Sequence, residues 1–332
     1  MRSQLNKAEG KKLNVVVTGG AGFIGSHLID RLLKEGHYVT NIDNFDPFYD
    51  DNVKRENIKG HLEHESYVLY ETDIRNKEAL DKDITNDTDV IVHLAAKAGV
   101  RPSIAEPIAY QEVNVTGTQN MLEIAREKNI KQFVFASSSS VYGKNPNFPW
   151  KEDDLVLQPI SPYASTKVSG ELLGHVYSHL YNIRFLALRF FTVYGPRQRQ
   201  DLAIHKFFKL MKEGKKISLY GDGSSRRDYT YIDDIVNGII AAISYKKSMY
   251  EVINLGNNQT VDLLEMVNAI EEVTGITANK IFEPDQPGDV KQTWSDIEKA
   301  SKLLDYTTHY TLKSGLYEFA KWFNNYTIIG SR

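Results

Sequence analysis

Two side chains in the stretch SPYASTKVSGE, those of Tyr163 and Lys167, have the types and the spacing that proton transfer requires. If a helix begins behind Ser161 and Pro162, residues four apart lie on the same face of it. A nearby ammonium group favours the charged form of a phenol, so such a pair can work as a tuned base. The same spacing also fits an ordinary surface contact, and the rest of the chain has to distinguish the two.

A glycine-rich turn near the start of the chain predicts a dinucleotide site. In VVVTGGAGFIGSHL, Gly19, Gly22 and Gly25 follow a buried strand and open a helix, so the backbone can approach a pyrophosphate at the helix N-terminus. Asp43 ends the next strand, about 20 residues on, where an acid binds the adenosine ribose. It would repel a 2′-phosphate, and NIDNFD has no arginine, so NAD is favoured over NADP. Asp73 ends the third strand, where it either meets the adenine or caps a helix.

These side chains need a scaffold, and the hydrophobic pattern predicts an α/β fold with a doubly wound parallel sheet of the Rossmann type. Apolar runs alternate with amphipathic stretches up to about residue 190, which is typical of a sheet covered by helices on both faces. The predicted strands are LNVVVT (13–18), YVTNID (38–43), YVLYETD (67–73), DVIVHLA (89–95), QFVFASS (132–138) and RFLALRF (184–190). Turn residues then become frequent, which predicts a first domain over 1–190 and a smaller C-terminal lobe over 191–332. The run YEVINLG (250–256) is expected to return to the sheet edge, so that 235–258 rejoins the first domain.

Composition excludes several classes of protein. With 332 residues, 41% of them hydrophobic, the chain can bury a large core. The formal charge of −3, from 40 basic and 43 acidic residues, gives no general attraction to nucleic acid or to an anionic membrane. The chain has no cysteine and no run of about 18 apolar residues, so we expect a soluble cytoplasmic protein. The cluster HLEHE (61–65) is expected to be a solvated face, and no metal is expected.

Further motifs become informative once a nicotinamide cofactor is implied. They are TGGAGFIGSHL, HLAAKAGV, ASSSSVYG, YASTK, RFFTVYGPRQR, GDGSSRRDYTYIDD and QPGDV. In this order, the chain from about residue 13 to 325 resembles the extended short-chain dehydrogenase/reductase family, and within it the nucleotide-sugar 4-epimerases, most of all UDP-glucuronate 4-epimerases. The resemblance implies an NAD-dependent isomerase whose C-terminal lobe binds the nucleotide sugar. It also implies a homodimer formed through helices 112–128 and 163–180.

The resemblance assigns the chemistry to three side chains. It makes Tyr163 the base and acid and Lys167 its partner, which also binds the nicotinamide ribose, while Ser138 hydrogen-bonds the reacting sugar hydroxyl. Burial raises a tyrosine pKa, and Lys167 with the positive nicotinamide ring is expected to oppose that effect. Tyr163 would accept the C4 hydroxyl proton as hydride passes to NAD. The 4-keto sugar would then turn within the site and take hydride back on its other face.

The resemblance also implies which residues contact each ligand. For NAD these are Gly19, Gly22, Phe23, Ile24, Gly25, Asp43, Asn44, Asp73, Ile74, Leu94, Ala95, Ala96, Lys97, Tyr163 and Lys167. For the UDP-sugar they are Ser138, Ser139, Ser140, Tyr163, Thr192, Arg199, Tyr220, Arg227 and Asp289. Within the second set, we expect Arg227 to clamp the pyrophosphate, Tyr220 to lie against the uracil and Asp289 to hold a ribose.

A few positions bear on which UDP-sugar is bound. The 4,6-dehydratases carry an Asp-Glu pair where this chain has Ser139 and Ser140, and UDP-glucuronate decarboxylases carry a Glu at the second of these positions. The two serines therefore favour an epimerase. Thr192 replaces the Asn of galactose-type epimerases, and Arg199 offers a cation for a uronate carboxylate. We therefore expect conversion of UDP-glucuronate to UDP-galacturonate. A 4-epimerase of UDP-glucose or of an N-acetylhexosamine, and more remotely a non-catalytic NAD-binding sensor, remain alternatives.

Overall fold

The computed structural model describes residues 11–154, 158–284 and 290–329, with side chains up to residue 325. Its strands are β1 (Asn14–Thr18), β2 (Tyr38–Ile42), β3 (Tyr67–Tyr70), β4 (Val90–His93), β5 (Gln132–Ser138), β6 (Arg184–Phe190), β7 (Thr192–Tyr194), β8 (Lys216–Tyr220), β9 (Arg226–Arg227), β10 (Tyr229–Tyr231), β11 (Tyr250–Leu255), β12 (Val261–Asp262) and β13 (Asn279–Glu283).

Helices cover and connect these strands. They are α1 (Phe23–Lys34), α2 (Asp51–Ile58), α3 (Lys77–Asp83), α4 (Val100–Ala105), α5 (Pro107–Gln111), α6 (Gly117–Glu127), α7 (Pro162–Tyr181), α8 (Ala203–Lys212), α9 (Ile232–Ser244), α10 (Leu263–Thr274), α11 (Glu298–Leu304) and α12 (Leu312–Ile329). A π-helical turn, Glu112–Thr116, precedes α6, and a 3-10 turn, Ser139–Tyr142, follows β5.

Among the described residues, seven strands form one parallel sheet in the order β11-β6-β5-β4-β1-β2-β3. Its central strands are apolar on both faces: Val15, Val16 and Val17 of β1 are all buried, because helices cover the sheet on both sides. The predicted doubly wound fold is confirmed. The strand order reverses between β1 and β4, and ligands of such sheets bind outside the carboxyl ends of the strands at that point.

The first helix shows how the sequence sets its packing. Leu28, Ile29 and Leu32 form one stripe of α1 and are fully buried, as an amphipathic helix on a sheet requires. Gly36, two residues beyond the helix, has φ +84° and donates its N–H to the Leu33 carbonyl, which ends the helix in the conformation that glycine adopts without strain.

The second lobe rests on short pairings that lie mostly after residue 190. β8 pairs with β13 and β7 with β10 in parallel, and β9 pairs with β12 antiparallel. β11 leaves this lobe and pairs in parallel with β6 at the edge of the large sheet. The second lobe therefore stands over the carboxyl edge of the sheet, where the site residues collect.

The solvated face predicted at HLEHE is confirmed for residues 62–65, which are exposed, and is wrong for His61. The segment 61–65 follows the end of α2 as a turn, and His61 is 5% exposed rather than solvated, since its Nε2 bonds with Asp30 at 2.5 Å.

Within the residues that the structure describes, no helix is long and apolar enough to cross a membrane.

Candidate active site

A cavity of about 520 Å³ opens at the carboxyl ends of β1, β4 and β5. Its wall includes every residue predicted to contact NAD or the UDP-sugar, with two exceptions. Tyr220 does not line the cavity, and Asp289 lies outside the described residues. The volume is in the range of pockets that bind cofactors and small molecules.

The glycine turn forms one end of the cavity. Gly19 has φ +73°, and a Cβ there would stand 2.8 Å from the Ala95 nitrogen; a Cβ on Gly25 would stand 2.3 Å from the Gly19 carbonyl oxygen. The turn and the start of α1 are thus pressed together. Gly22 precedes the helix without a side-chain cap, so the first N–H groups of α1 are available to an anion. This cradle fits the pyrophosphate of a dinucleotide.

Acidic and amide side chains line the neighbouring strand ends. Asp43 accepts hydrogen bonds at 2.9 Å from the N–H groups of Ala21 and Phe45, and burial raises the pKa of its carboxyl group. Asn44 donates to Asp73 at 2.9 Å. Because Arg75 also binds Asp73, it lowers the pKa of that carboxyl group. Asp43 is thus fixed at the predicted ribose position, and Asp73 both lines the cavity and orders its own turn.

The predicted proton-transfer group assembles at the start of α7. Ser161 caps the helix by accepting from the Ala164 N–H at 3.1 Å, and Tyr163 then points to the end of β5. Burial raises the pKa of Tyr163, while a hydrogen bond with Ser138 and the charge of Arg199 lower it. Ser140 donates its hydroxyl to Ser138 at 3.0 Å, which leaves the serine oriented toward the phenol.

Lys167 lies one turn further along α7. Its Nζ donates to the Ala136 carbonyl at 2.7 Å and lies 5.8 Å from the centre of the Tyr163 ring. Burial lowers the pKa of Lys167 to about 8, and Glu171 opposes that effect. We expected Lys167 to be the protein cation that lowers the phenol pKa; in this structure that cation is Arg199.

The opposite wall carries the predicted sugar-binding residues of the second lobe. Thr192 is fixed where β7 begins, since its N–H donates to the Asp228 carbonyl at 3.0 Å. Arg199 binds Asp201 through Nε and Nη2 at 3.0 and 2.9 Å, and its guanidinium lies 5.3 Å from the centre of the Phe48 ring. Arg227 lines the cavity from β9. A cation and a hydroxyl therefore face the serines across the cavity.

Tyr220, which we expect to lie against the uracil, has a neighbour that was not predicted. Arg101, at the start of α4, lies over its ring with 4.9 Å between the guanidinium carbon and the ring centre. No spacing in the sequence joins these two residues, because they belong to different lobes. The Tyr220 ring, at the end of β8, therefore faces α4.

Sequence reasoning missed Asn114, a buried residue of the π-helical turn. Its side chain accepts from the Lys97 N–H at 2.8 Å and donates to the Lys97 carbonyl and the Thr166 hydroxyl, both at 3.0 Å. It thereby joins the loop after β4, which lines the cofactor end of the cavity, to α7. An isolated Asn in EVNVTGT carries no signal that would have revealed this role.

Comparison with known proteins now identifies the family. The family model described as GDP-mannose 4,6 dehydratase matches residues 16–319. The chain belongs to this family. It is 41% identical to the UDP-glucuronate 4-epimerase of Thermodesulfobacterium geofontis over 311 residues, which is 92% of this chain and 95% of that protein.

Two solved structures have the same fold. The UDP-glucuronic acid 4-epimerase of Bacillus cereus, in complex with UDP-glucuronic acid and NAD, superposes with a TM-score of 0.89 at 39% identity, covering 95% of this chain and 100% of that one. The UDP-glucose 4-epimerase of Thermotoga maritima, with UDP-glucose, gives a TM-score of 0.87 at 30% identity, with the same coverage. The predicted family and enzyme class, an NAD-dependent nucleotide-sugar 4-epimerase, are confirmed.

Proposed function

We propose that the protein inverts C4 of UDP-glucuronate to give UDP-galacturonate, with NAD as its cofactor. One observation carries the proposal: Arg199 and Tyr163 line the same cavity, and the charge of Arg199 lowers the pKa of the phenol. The phenol is where C4 of the sugar has to lie. The carboxylate of a uronate is attached to C5, next to C4, so a cation beside the phenol is where such a carboxylate needs one.

The side chains have distinct parts in the reaction. When bound, NAD would supply the acceptor and donor of the C4 hydride. Ser138 holds the C4 hydroxyl, and Tyr163 takes its proton in one half of the reaction and gives it back in the other. Lys167 places a positive charge close to the ring of Tyr163. Asp43 and the uncapped N-terminus of α1 at Gly22 would hold the cofactor in place.

The polar residues around the sugar also bear on a side reaction. A 4-keto-uronate is a β-keto acid and readily loses CO₂, which an epimerase has to prevent. An ion pair between Arg199 and the carboxylate stabilises the charge that is lost as CO₂ departs. Ser139 and Ser140 stand where the related dehydratases and decarboxylases carry acids, so this loop supplies no carboxyl group for elimination or protonation. The dehydratase activity named in the family description is therefore disfavoured.

The substrate is tested by incubating the purified protein with UDP-glucuronate and, separately, UDP-glucose, and following the products by proton NMR. We expect UDP-galacturonate from the first. Arg199→Met should lower kcat/KM for UDP-glucuronate at least about 100-fold, the scale of a lost charge-assisted pair. Arg197→Met is the matched control, because Arg197 binds Asp30 on α1, outside the cavity. Turnover of UDP-glucose alone would favour the second candidate, a UDP-glucose 4-epimerase.

We also propose a domain arrangement and an assembly. Residues 1–190, together with 235–258, form the NAD-binding domain, and most of 191–332 forms the nucleotide-sugar lobe. A homodimer through α6 and α7 is supported by an apolar stripe on α7, where Leu172, Val176 and Leu180 are 59%, 46% and 58% exposed at four-residue spacing. The cytoplasmic location and the absence of a metal stay predictions.

A further inference from the structure

A buried ion pair lies behind the catalytic lysine. Glu171 is 6% exposed and Arg189 is 3% exposed. The guanidinium of Arg189 donates to one carboxylate oxygen of Glu171 from Nε at 2.9 Å and to the other from Nη2 at 2.8 Å. Desolvating two charges is unfavourable, and such pairs often add no stability compared with apolar residues. This pair therefore invites a functional explanation.

The pair is placed by the end of β5. Ser137 donates its hydroxyl to Glu171 at 2.5 Å, and Arg189 stands opposite Ser137 in the register of β5 and β6. The guanidinium of Arg189 also lies 4.7 Å from the centre of the Tyr142 ring. Glu171 is thus held by a fork of donors and a hydroxyl, with no freedom to swing away from its position.

Glu171 is also close to Lys167. The two residues are four apart on α7, which places them on one face of the helix. The other groups around the ammonium are the Ala136 carbonyl and the Phe135 ring of β5, Tyr163 on the same helix, and His93 on β4. His93 stays neutral because burial lowers its pKa to about 3. Among the described residues, Glu171 is the carboxylate whose charge acts on Lys167.

We propose that Glu171 is a positioning residue for the reaction: held by Arg189 and Ser137, its carboxylate is the counter-charge of Lys167. The inference rests on the proposed function, in which Lys167 has to remain a cation beside the phenol and the cofactor. Arg189 contributes indirectly, because its two hydrogen bonds fix the position of the carboxylate.

The sign of the effect follows from the charges. Burial lowers the pKa of Lys167 to about 8, and Glu171 raises it. When Glu171 is replaced by a neutral residue, the ammonium retains a carbonyl and a ring but no anion. Its pKa should then fall by about 1 unit or more, the usual effect of an opposite charge at this range. The fall of kcat at alkaline pH should then begin at a correspondingly lower pH.

Two variants and a control test the inference. Glu171→Gln removes the counter-charge but leaves Arg189 buried without its partner. Glu171→Gln combined with Arg189→Met removes both charges, so it carries the test if the single variant does not fold. Asp234→Asn is the matched control: Asp234 is a fully buried carboxylate that accepts from the N–H groups of His309 and Tyr310, away from the cavity.

The direct readout is the titration of Lys167 in the NAD-loaded full chain. NMR of protein labelled with [¹³C]lysine gives the pH midpoint of this titration. The Lys167 signal is assigned by its absence from the Lys167→Met spectrum. We expect the midpoint to be highest in the wild type, lower in the double variant and lowest in Glu171→Gln. Asp234→Asn should leave it unchanged. The alkaline limb of kcat should follow the same order.

The outcomes separate this inference from the proposed function. An unchanged Lys167 midpoint in both Glu171 variants would overturn the inference, and so would a shifted midpoint without any movement of the alkaline limb. A wild-type protein that converts no UDP-sugar would overturn the proposed function instead. The NMR midpoint would still decide whether Glu171 is the counter-charge, because that measurement needs no turnover.

Discussion

Adding one methyl group at Gly25 should weaken NAD binding without unfolding the protein. The Cβ of an alanine there would lie 2.3 Å from the Gly19 carbonyl oxygen and 2.6 Å from the Gly20 Cα. Non-bonded heavy atoms are normally about 3.5 Å apart, so the turn and the start of α1 would have to separate by roughly 1 Å. Both atoms belong to the backbone, and no side chain can relieve the contact by rotating.

The size of the effect follows from that displacement. Overpacking of this kind costs about 1–3 kcal/mol. The two segments that separate are the two sides of the pyrophosphate cradle, so we expect the loss to appear in cofactor affinity. At about 1.4 kcal/mol for each factor of ten, the dissociation constant for NAD should rise by between about 5-fold and 100-fold.

Calorimetric titration of cofactor-free protein with NAD measures the effect, with the melting temperature recorded in parallel. Gly60→Ala is the matched control, because a Cβ at Gly60 meets no atom within 4 Å. It should bind NAD as the wild type does. A folded Gly25→Ala protein with wild-type affinity for NAD would refute the assignment of this turn as the cofactor cradle.

Three further predictions concern catalysis, pH and assembly. Tyr163→Phe should lower kcat at least about 100-fold and leave NAD affinity intact; equal turnover would exclude Tyr163 as the proton-transfer group. Burial lowers the pKa of His93 to about 3, so its contribution to stability is complete above the unfolded pKa of about 6.5 and falls by about 1.4 kcal/mol per pH unit below it. Urea unfolding at pH 7, 6 and 5 should therefore show a smaller pH slope for His93→Gln than for the wild type, and equal slopes would contradict this. Leu172→Glu should convert a dimer to a monomer in light scattering, whereas a wild type that is already monomeric would dismiss the α7 interface.

The large sheet could be predicted from the sequence because its strands are buried on both faces. Runs such as NVVVT and FVFAS contain so few polar residues that no other element suits them. The strands of the second lobe were harder to predict from the sequence, since β9 and β12 are two residues long and pair across more than thirty positions. Strands of that length leave no periodic pattern, and their pairing depends on the tertiary structure.

The candidate site divides in the same way. Gly19, Asp43, Tyr163 and Lys167 could be predicted because their roles depend on local spacing within one turn or one helix. The contact between Arg101 and Tyr220 could not, since it joins α4 to β8 across the two lobes. His61 was misread for a related reason: its burial depends on Asp30, a residue of α1 that the local pattern HLEHE does not contain.

The serine run that ends β5 links the chemistry to the fold. Three consecutive residues of this strand each engage α7: Ala136 through its carbonyl, Ser137 through Glu171, and Ser138 through the phenol of Tyr163. The 3-10 turn that begins at Ser139 changes the direction of the chain there. The base, its lysine and the counter-charge are therefore held by one strand end, and a shift of α7 along β5 would disturb all three together.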